Sequence, residues 1–180
     1  MCGIVGYVGE RDCTDVLLDS LSKLEYRGYD SAGIAVFENG EITVEKAKGE
    51  LKNLREKVAE HKPKGHCGIG HTRWATHGEP SDINSHPHGN KRVSIVHNGI
   101  IENYKDIKNF LIEKGYTFIS ETDTETVAKL LDYYYEGDPV DAIIKTLKDV
   151  RGAYALGIVF KDFPDRIFAV RKDSPLIIGV

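Results

Sequence analysis

The sequence opens with MCGIVGYVG (Met1–Gly9), an apolar, glycine-rich stretch that largely decides how the rest of the chain must be arranged. Cys2–Val8 has the composition of a short strand that is buried on both faces, and its glycines allow another backbone to approach closely. Such a strand would fix this end of the chain inside the fold. The other elements must then pack around it.

Cys2 is a candidate nucleophile because of its position. If Met1 is removed, which a small second residue generally permits, Cys2 carries a thiol and a free α-amino group on one carbon. The reference pKa is about 7.7–8.0 for the amine and about 8.5 for the thiol, so near neutral pH the amine can accept a proton while the sulfur attacks. Taken alone, a cysteine after the initiator is more often an incidental small residue.

Length and composition indicate an ordinary soluble globular protein. The 180 residues suit one domain, and 41% are hydrophobic and 29% charged. A net charge of -4 without a Lys/Arg run argues against a nucleic-acid partner. No apolar run approaches the roughly 18 residues that span a bilayer, and no signal peptide is evident, so we expect a cytoplasmic protein without a membrane partner. Cys2, Cys13 and Cys67 are odd in number and predict free thiols.

Five amphipathic helices are predicted from apolar residues that recur three or four positions apart. Their inward stripes are Leu17, Leu21 and Leu24; Leu51, Leu54 and Val58; Tyr104, Ile107 and Leu111; Val127, Leu130, Leu131 and Tyr134; and Val140, Ile143, Ile144 and Leu147. Asp12 is the predicted N-cap of the first helix, Gly115 closes the third, and Asp138-Pro139 begins the fifth.

The strands are predicted in antiparallel groups. Asn39-Gly40 suits a type I′ turn between two strands. The predicted strands after Cys2–Val8 are Ala32–Phe37, Glu41–Ala47, His66–Trp74, Arg92–His97, Ala153–Phe160, Arg166–Arg171 and Leu176–Val180. This order leaves few βαβ crossovers, so it favours a layered α+β architecture over a doubly wound parallel sheet. The sequence stops within the apolar run LIIGV, which suggests a fragment of a longer protein.

Four residues further along the chain could complete a site around Cys2. Asn98-Gly99, expected at a strand end, offers an amide NH₂ beside a glycine N–H, which suits an oxyanion hole. Arg73 could bind the carboxylate of an amino acid and Asp123 its ammonium group. Each residue also has a simpler interpretation: Asn-Gly is commonly a turn, Asp123 could be an N-cap, and an isolated Arg or Asp is commonly a surface ion-pair member.

The histidine-rich part of the chain is the main alternative site. Ala75–Lys91 shows no periodicity and predicts a long loop, the kind that usually serves a site. The ligands of a tetrahedral metal site could in principle come from the following residues: His66, Cys67, His71, His77, His86 and His88. Their spacings match no zinc pattern, and the chain has no Walker-type loop or GxGxxG. We therefore predict no metal and no nucleotide cofactor.

Seven motifs fall in one order along the chain: MCGIVGYVG, LEYRGYDSAGIAV, GHTRWATHGEPS, NSHPH, VHNGIIENY, GYTFISETDTE and VRGAYAL. Together they resemble the glutaminase half of glucosamine-6-phosphate synthases, the glutamine–fructose-6-phosphate aminotransferases, over nearly all of residues 1–180. This half is a class II glutamine amidotransferase domain. The resemblance implies the N-terminal nucleophile (Ntn) hydrolase fold, an αββα sandwich of two antiparallel sheets between helices.

The resemblance also implies roles for particular residues. Cys2 would be the nucleophile, Asn98 with the Gly99 N–H the oxyanion hole, Arg73 the carboxylate ligand and Asp123 the ammonium ligand. Five further residues match positions near the glutamine pocket: Arg27, Trp74, Thr76, His77 and His86. Of these, Trp74 matches the residue associated with gating ammonia transfer.

The implied reaction is hydrolysis of L-glutamine to glutamate and ammonia through a γ-glutamyl thioester. In the full-length enzyme, expected to be a homodimer, the ammonia would pass to a sugar isomerase domain that converts fructose 6-phosphate to glucosamine 6-phosphate. That domain and the last strands of the glutaminase domain would lie outside this sequence. Three alternatives stay open: another class II amidotransferase, a catalytically silent glutamine-binding domain, and a general thiol hydrolase.

Overall fold

The computed structural model describes residues 2–75 and 78–179. Its strands are β1 (Gly3–Val8), β2 (Ser31–Glu38), β3 (Glu41–Lys48), β4 (Cys67–Arg73), β5 (His88–Gly89), β6 (Val93–Ile101), β7 (Gly152–Phe160) and β8 (Phe168–Lys172). Its α-helices are α1 (Cys13–Leu24), α2 (Leu51–Glu60), α3 (Tyr104–Glu113), α4 (Asp123–Tyr134) and α5 (Pro139–Asp149), and one 3₁₀ turn spans Glu25–Arg27.

Two four-stranded antiparallel sheets form the centre of the fold. Their strand orders are β1-β4-β2-β3 and β5-β6-β7-β8. The inner faces of the two sheets meet in an apolar core that includes Ile69 of the first sheet and Val96 and Val159 of the second. Helices α1 and α2 cover the outer face of the first sheet, and α3, α4 and α5 cover the second. The expected four-layer αββα, α+β architecture is confirmed.

Local sequence signals explain several element boundaries. Asn39 and Gly40 have φ angles of 51° and 80°, as a type I′ turn between β2 and β3 requires. Asp12 accepts a hydrogen bond from the N–H of Thr14 and so caps α1. Asp138 does the same for α5, and Gly115, with φ of 89°, follows the end of α3. These predictions are confirmed.

Asn98 and Gly99 do not end a strand. They lie inside β6, where they pair with Ala155 and Tyr154 of β7. The predicted strand end is therefore wrong. The nine-residue ladder with β7 supplies backbone hydrogen bonds on both sides of the Asn-Gly pair, and Gly99 tolerates its φ of 127°, so the turn tendency is overridden.

Other predictions fail where burial was misjudged. Val140 and Ile144 are 53% and 48% exposed, because the buried face of α5 is formed by Ala142, Ile143 and Thr146 instead. β1 is not buried on both faces as predicted. Among the described strands it pairs only with β4, at the edge of its sheet, and Val8 is 49% exposed.

The C-terminal boundaries also differ. β8 begins at Phe168, two residues after the predicted start. Residues 176–179 form no strand, and Ile177 is 93% exposed, because no neighbouring strand in the described chain pairs with this segment. A membrane-crossing segment is not found among the described helices, none of which is both long and apolar enough.

Candidate functional site

Cys2 lies just before β1, beside the end of β4. The register that places Gly3 opposite Thr72 brings the two strand ends together. The backbone N–H of Trp74 donates a hydrogen bond of 3.1 Å to Cys2 Sγ, which lies 3.4 Å from the Trp74 carbonyl oxygen. Burial raises the pKa of the Cys2 thiol above its ordinary value, against the opposing effect of the Trp74 hydrogen bond. The thiol is therefore mostly protonated near neutral pH and needs a base.

Asn98 and Gly99 reach the same place from the second sheet. Asn98 Nδ2 donates to the Cys2 carbonyl oxygen at 3.2 Å, so the amide NH₂ group lies beside the cysteine backbone. At Gly99 an added Cβ would lie 2.1 Å from the carbonyl oxygen of Ala153. Only glycine fits there, and its positive φ sets the direction of the neighbouring peptide groups.

Arg73, the last residue of β4, is buried with 3% of its surface exposed. Its Nη2 donates to the carbonyl oxygen of Gly78 at 3.0 Å, and its Nη1 lies 3.7 Å from Asp30 Oδ1. The other carboxylate oxygen of Asp30 accepts the N–H of Ala75. These contacts fix the guanidinium group and partly balance its buried charge.

Asp123 is the first residue of α4, and it is not the N-cap. The N-cap is Thr122, whose hydroxyl accepts from the N–H of Glu125. Asp123 is 4% exposed, and its Oδ2 accepts the N–H of Ile101 at 2.9 Å. The helix N-terminus favours a negative carboxylate at this position. The N-cap alternative for Asp123 is therefore wrong.

A cavity of about 1170 Å³ brings these groups together. Its lining includes eight of the ten residues expected at the site: Cys2, Arg27, Arg73, Trp74, His86, Asn98, Gly99 and Asp123. Trp74 is 57% exposed on one wall, whereas Arg73 and Asp123 are buried. The two remaining predicted residues, Thr76 and His77, lie outside the described residues. The cavity also extends along an apolar wall between the sheets, formed partly by Ile4 and Ile167.

Histidines form a buried group beside this cavity, and His86 and His97 are part of its lining. The rings of His71 and His86 stack with centroids 4.0 Å apart. Burial lowers the pKa of His71 to about 3 and the pKa values of His86 and His88 well below their ordinary value. His86 accepts the N–H of His97 at Nδ1 and contacts Thr124 through Nε2. Within residues 2–75 and 78–179, no three His, Cys, Asp or Glu residues are arranged to hold a metal ion.

Two residues that contact the predicted site residues were not assigned a role beside them, although His71 was considered as a metal ligand. Asp30 contacts Arg73, and His71 contacts Asn98, although both lie within the quoted motifs. His71 could have been found, because side chains two residues apart on a strand share a face and Arg73 was already a candidate. No comparable signal links Asp30 to Arg73, since 43 positions separate them in the sequence and only the pairing of β2 with β4 brings them together.

The chain is similar to a known domain family and to curated proteins. Residues 71–178 match the glutamine amidotransferase domain family. The chain is 58% identical over its whole length to the glutamine–fructose-6-phosphate aminotransferase [isomerizing] of Clostridium perfringens. It is 60% identical to the protein of the same name from Caldanaerobacter subterraneus subsp. tengcongensis. The chain spans 30% of the length of each of these relatives.

Solved structures agree on the fold. One is the glutamine phosphoribosylpyrophosphate amidotransferase of B. subtilis, solved with ADP and GMP. The match covers 89% of this chain and 35% of the amidotransferase chain, with a TM-score of 0.77 and 27% identity. A class-II glutamine aminotransferase domain protein from silicibacter pomeroyi matches with a TM-score of 0.60 and 17% identity, a likeness of fold alone. The two antiparallel sheets between helices are thus the Ntn amidotransferase fold.

Proposed function

Because the chain belongs to the glutamine amidotransferase domain family, we propose that it hydrolyses L-glutamine to glutamate and ammonia, with Cys2 as the nucleophile. The observation that carries the proposal is the single cavity lined by the Cys2 thiol, the Asn98-Gly99 pair and the two buried charges of Arg73 and Asp123. A nucleophile, oxyanion donors and a pair of charges for a free amino acid are the groups that this reaction needs.

The nucleophile requires a base that the cavity can provide at short range. In a chain that begins at Cys2, the α-amino group takes the thiol proton while sulfur forms a bond to the glutamine δ-carbon. The oxygen of the tetrahedral adduct becomes negative and is stabilised by Asn98 Nδ2 and the Gly99 N–H. Collapse of the adduct breaks the C–N bond, and the resulting ammonium group of Cys2 returns its proton to the departing nitrogen as ammonia leaves.

Hydrolysis of the thioester then requires only a water molecule. With ammonia gone, the α-amino group of Cys2 takes a proton from a water molecule whose oxygen attacks the thioester carbon. The C–S bond breaks, glutamate is released and the thiol regains its proton. The Trp74 N–H, 3.1 Å from Cys2 Sγ, supports the sulfur in both steps because it stabilises the developing thiolate.

Arg73 and Asp123 give specificity for an amino acid. The guanidinium group of Arg73 can form two parallel hydrogen bonds with the substrate α-carboxylate, and the carboxylate of Asp123 can accept the α-ammonium group. Both side chains are almost fully buried, which strengthens these interactions relative to water. Arg27, Trp74, Thr76, His77 and His86 are proposed as further residues around the glutamine, with Trp74 gating the exit of ammonia.

The destination of the ammonia is also a proposal, because the chain spans only 30% of its relatives. We infer that the complete protein delivers it to a sugar isomerase domain that converts fructose 6-phosphate to glucosamine 6-phosphate. The names of the two Clostridium and Caldanaerobacter relatives support this acceptor. The family resemblance supports a homodimer, and three free cysteines suit the reducing cytoplasm.

Glutamate release from glutamine by the complete protein tests the proposal. We expect Cys2→Ala to abolish the activity, and Cys67→Ala to retain it because Cys67 is buried between the sheets and does not line the cavity. Arg73→Lys should mainly raise KM, because lysine cannot form the paired hydrogen bonds of the guanidinium group. Glutamine binding by calorimetry without glutamate release would instead support a silent binding domain. Undiminished activity of Cys2→Ala would refute the mechanism.

A further inference from the structure

Asn98 can act as an oxyanion donor only if its side-chain amide is held the right way round. The two ends of an amide differ only in whether NH₂ or oxygen faces the substrate. In the wrong orientation Asn98 would present lone pairs to a negative oxygen. Something must therefore distinguish the two orientations, and the hydrogen bonds around Asn98 identify it.

The carbonyl oxygen of Cys2 fixes one end of the amide. This oxygen can only accept, and it lies 3.2 Å from the end of the Asn98 side chain, so that end must be the NH₂ group. Asn98 Oδ1 is then the end that lies 3.1 Å from Nε2 of His71. Among the described residues, no other group donates a hydrogen bond to this oxygen.

The protonation of His71 follows from a second, independent contact. The same Nε2 lies 2.9 Å from the backbone carbonyl oxygen of His97, which is also an obligate acceptor. Nε2 must therefore carry the ring hydrogen, which is shared between this oxygen and Asn98 Oδ1. His71 Nδ1 is buried and has no hydrogen-bond partner in the described part of the chain, which fits an unprotonated nitrogen, because a buried N–H without an acceptor would cost more.

The His71 ring cannot readily turn away from this arrangement. Its side chain is completely buried in the middle of β4 and stacks on His86 with an interplanar angle of 13°. Burial lowers the pKa of His71 to about 3, so the ring is neutral near neutral pH and carries one hydrogen. A neutral, fixed donor is what holding an amide requires.

We propose that His71 is a positioning residue that holds the Asn98 amide with its NH₂ group towards the substrate oxyanion. The inference rests on the proposed glutaminase function and goes beyond it, since His71 itself does not line the cavity. His71 acts only through Asn98. Its loss should therefore affect the transition state, where the oxyanion forms, and leave the binding of the two charged ends of glutamine unchanged.

The test measures kcat and KM for glutamine hydrolysis in the complete protein for His71→Leu, His71→Gln, Asn98→Ala and the double variant His71→Leu/Asn98→Ala. Losing an oxyanion donor costs roughly 100- to 1000-fold in kcat, so we expect His71→Leu, which only loosens that donor, to lower kcat roughly 10- to 100-fold with little change in KM. His71→Gln should recover most of the activity, because the glutamine NH₂ group can donate from the position of Nε2. In the Asn98→Ala background, His71→Leu should have no further effect on kcat.

Ile69→Ala is the matched control for packing. Ile69 is buried on the same strand and face as His71 but does not line the cavity. It should lower the melting temperature at least as much as His71→Leu and leave kcat intact.

Additive effects of His71→Leu and Asn98→Ala would overturn the proposal, as would failure of His71→Gln to restore kcat beyond the level of His71→Leu. If Asn98→Ala alone keeps full kcat while Cys2→Ala is inactive, the oxyanion assignment fails and His71 loses its role with it. If Cys2→Ala is as active as the unaltered protein, the proposed glutaminase mechanism itself is wrong, which separates the two failures.

Discussion

Acid should destabilise this protein through its buried histidines. His71, His86 and His88 are each at most 5% exposed, and burial lowers their pKa values, to about 3 for His71 and well below 6.5 for the other two. The positive charges of Arg73 and, for His88, Lys46 act in the same direction. In the unfolded chain each imidazole regains a pKa near 6.5. As pH falls through this value, the unfolded state takes up protons that the folded state excludes, so the folded state loses stability.

The size of the effect follows from proton linkage. For each histidine that stays neutral in the folded state, proton uptake by the unfolded state lowers the free energy of unfolding by RT ln(1 + 10^(6.5 − pH)). This decrease is about 0.1 kcal/mol near pH 7.5 and about 1.4 kcal/mol near pH 5.5. Three such histidines lower the free energy of unfolding by about 4 kcal/mol over this interval. That is a large share of the roughly 5–15 kcal/mol that stabilises a typical domain.

Urea denaturation at several pH values measures this loss, and variants isolate the histidines from the carboxylates. In His88→Gln the new amide can keep the contact with the Thr122 hydroxyl, which lies 3.1 Å from His88 Nε2. This variant should lose about 1.3 kcal/mol less than the unaltered protein between about pH 7.5 and 5.5. His61→Gln, at an exposed site after α2, should behave like the unaltered protein. Equal pH dependence in His88→Gln and the unaltered protein would show that the folded state does not keep His88 neutral.

Three further predictions concern the N-terminus, the sheet packing and the loop. A chain that retains Met1 should release glutamate much more slowly than the processed chain, because its Cys2 nitrogen is an amide; equal rates would exclude the α-amine as base. Gly33→Ala should lower the free energy of unfolding, measured by urea titration, by about 1–3 kcal/mol or more. The reason is that the new Cβ would lie 2.1 Å from the His86 carbonyl oxygen, and unchanged stability would contradict this packing. We expect saturating glutamine to slow amide hydrogen exchange within residues 75–91, because the segment before β5 is predicted to order over the substrate; unchanged exchange would argue against this closure.

Much of the fold could be predicted because its local signals agree with its tertiary structure. Asp12, Asn39-Gly40 and Asp138-Pro139 each mark a boundary by a mechanism that acts within a few residues. Asn98-Gly99 shows the limit of such signals. The pair has turn chemistry, but a nine-residue pairing with β7 extends β6 through it, and that partner lies more than 50 residues away in the sequence. Long-range pairing cannot be derived from a local pattern.

The candidate site, like the fold, could be predicted only in part from the sequence. Residue types with obvious chemistry, such as Cys2, Arg73 and Asp123, could be selected from the sequence, and the structure brings them to one cavity. Asp30 could not be selected in this way, because only the pairing of β2 with β4 brings it to Arg73. His71 shares a face of β4 with Arg73 and could have been found, but its contact with Asn98 of the other sheet could not. Asp123 was ambiguous for another reason: a carboxylate at a helix start is compatible with both capping and binding until the hydroxyl of Thr122 is seen to occupy the cap.

Selective labelling of Cys2 tests the central claim most directly. The intact mass of the protein is recorded before and after exposure to a glutamine-shaped electrophile, and the modified residue is mapped by peptide analysis. We expect an initial mass without methionine and a single adduct on Cys2, which is lost in Cys2→Ala and kept in Cys67→Ala. Burial raises the pKa values of Cys13 and Cys67 to about 12 and about 11, which protects these thiols. A folded, processed protein that stays unlabelled, or one labelled equally at Cys67, would contradict the role of Cys2 as the nucleophile.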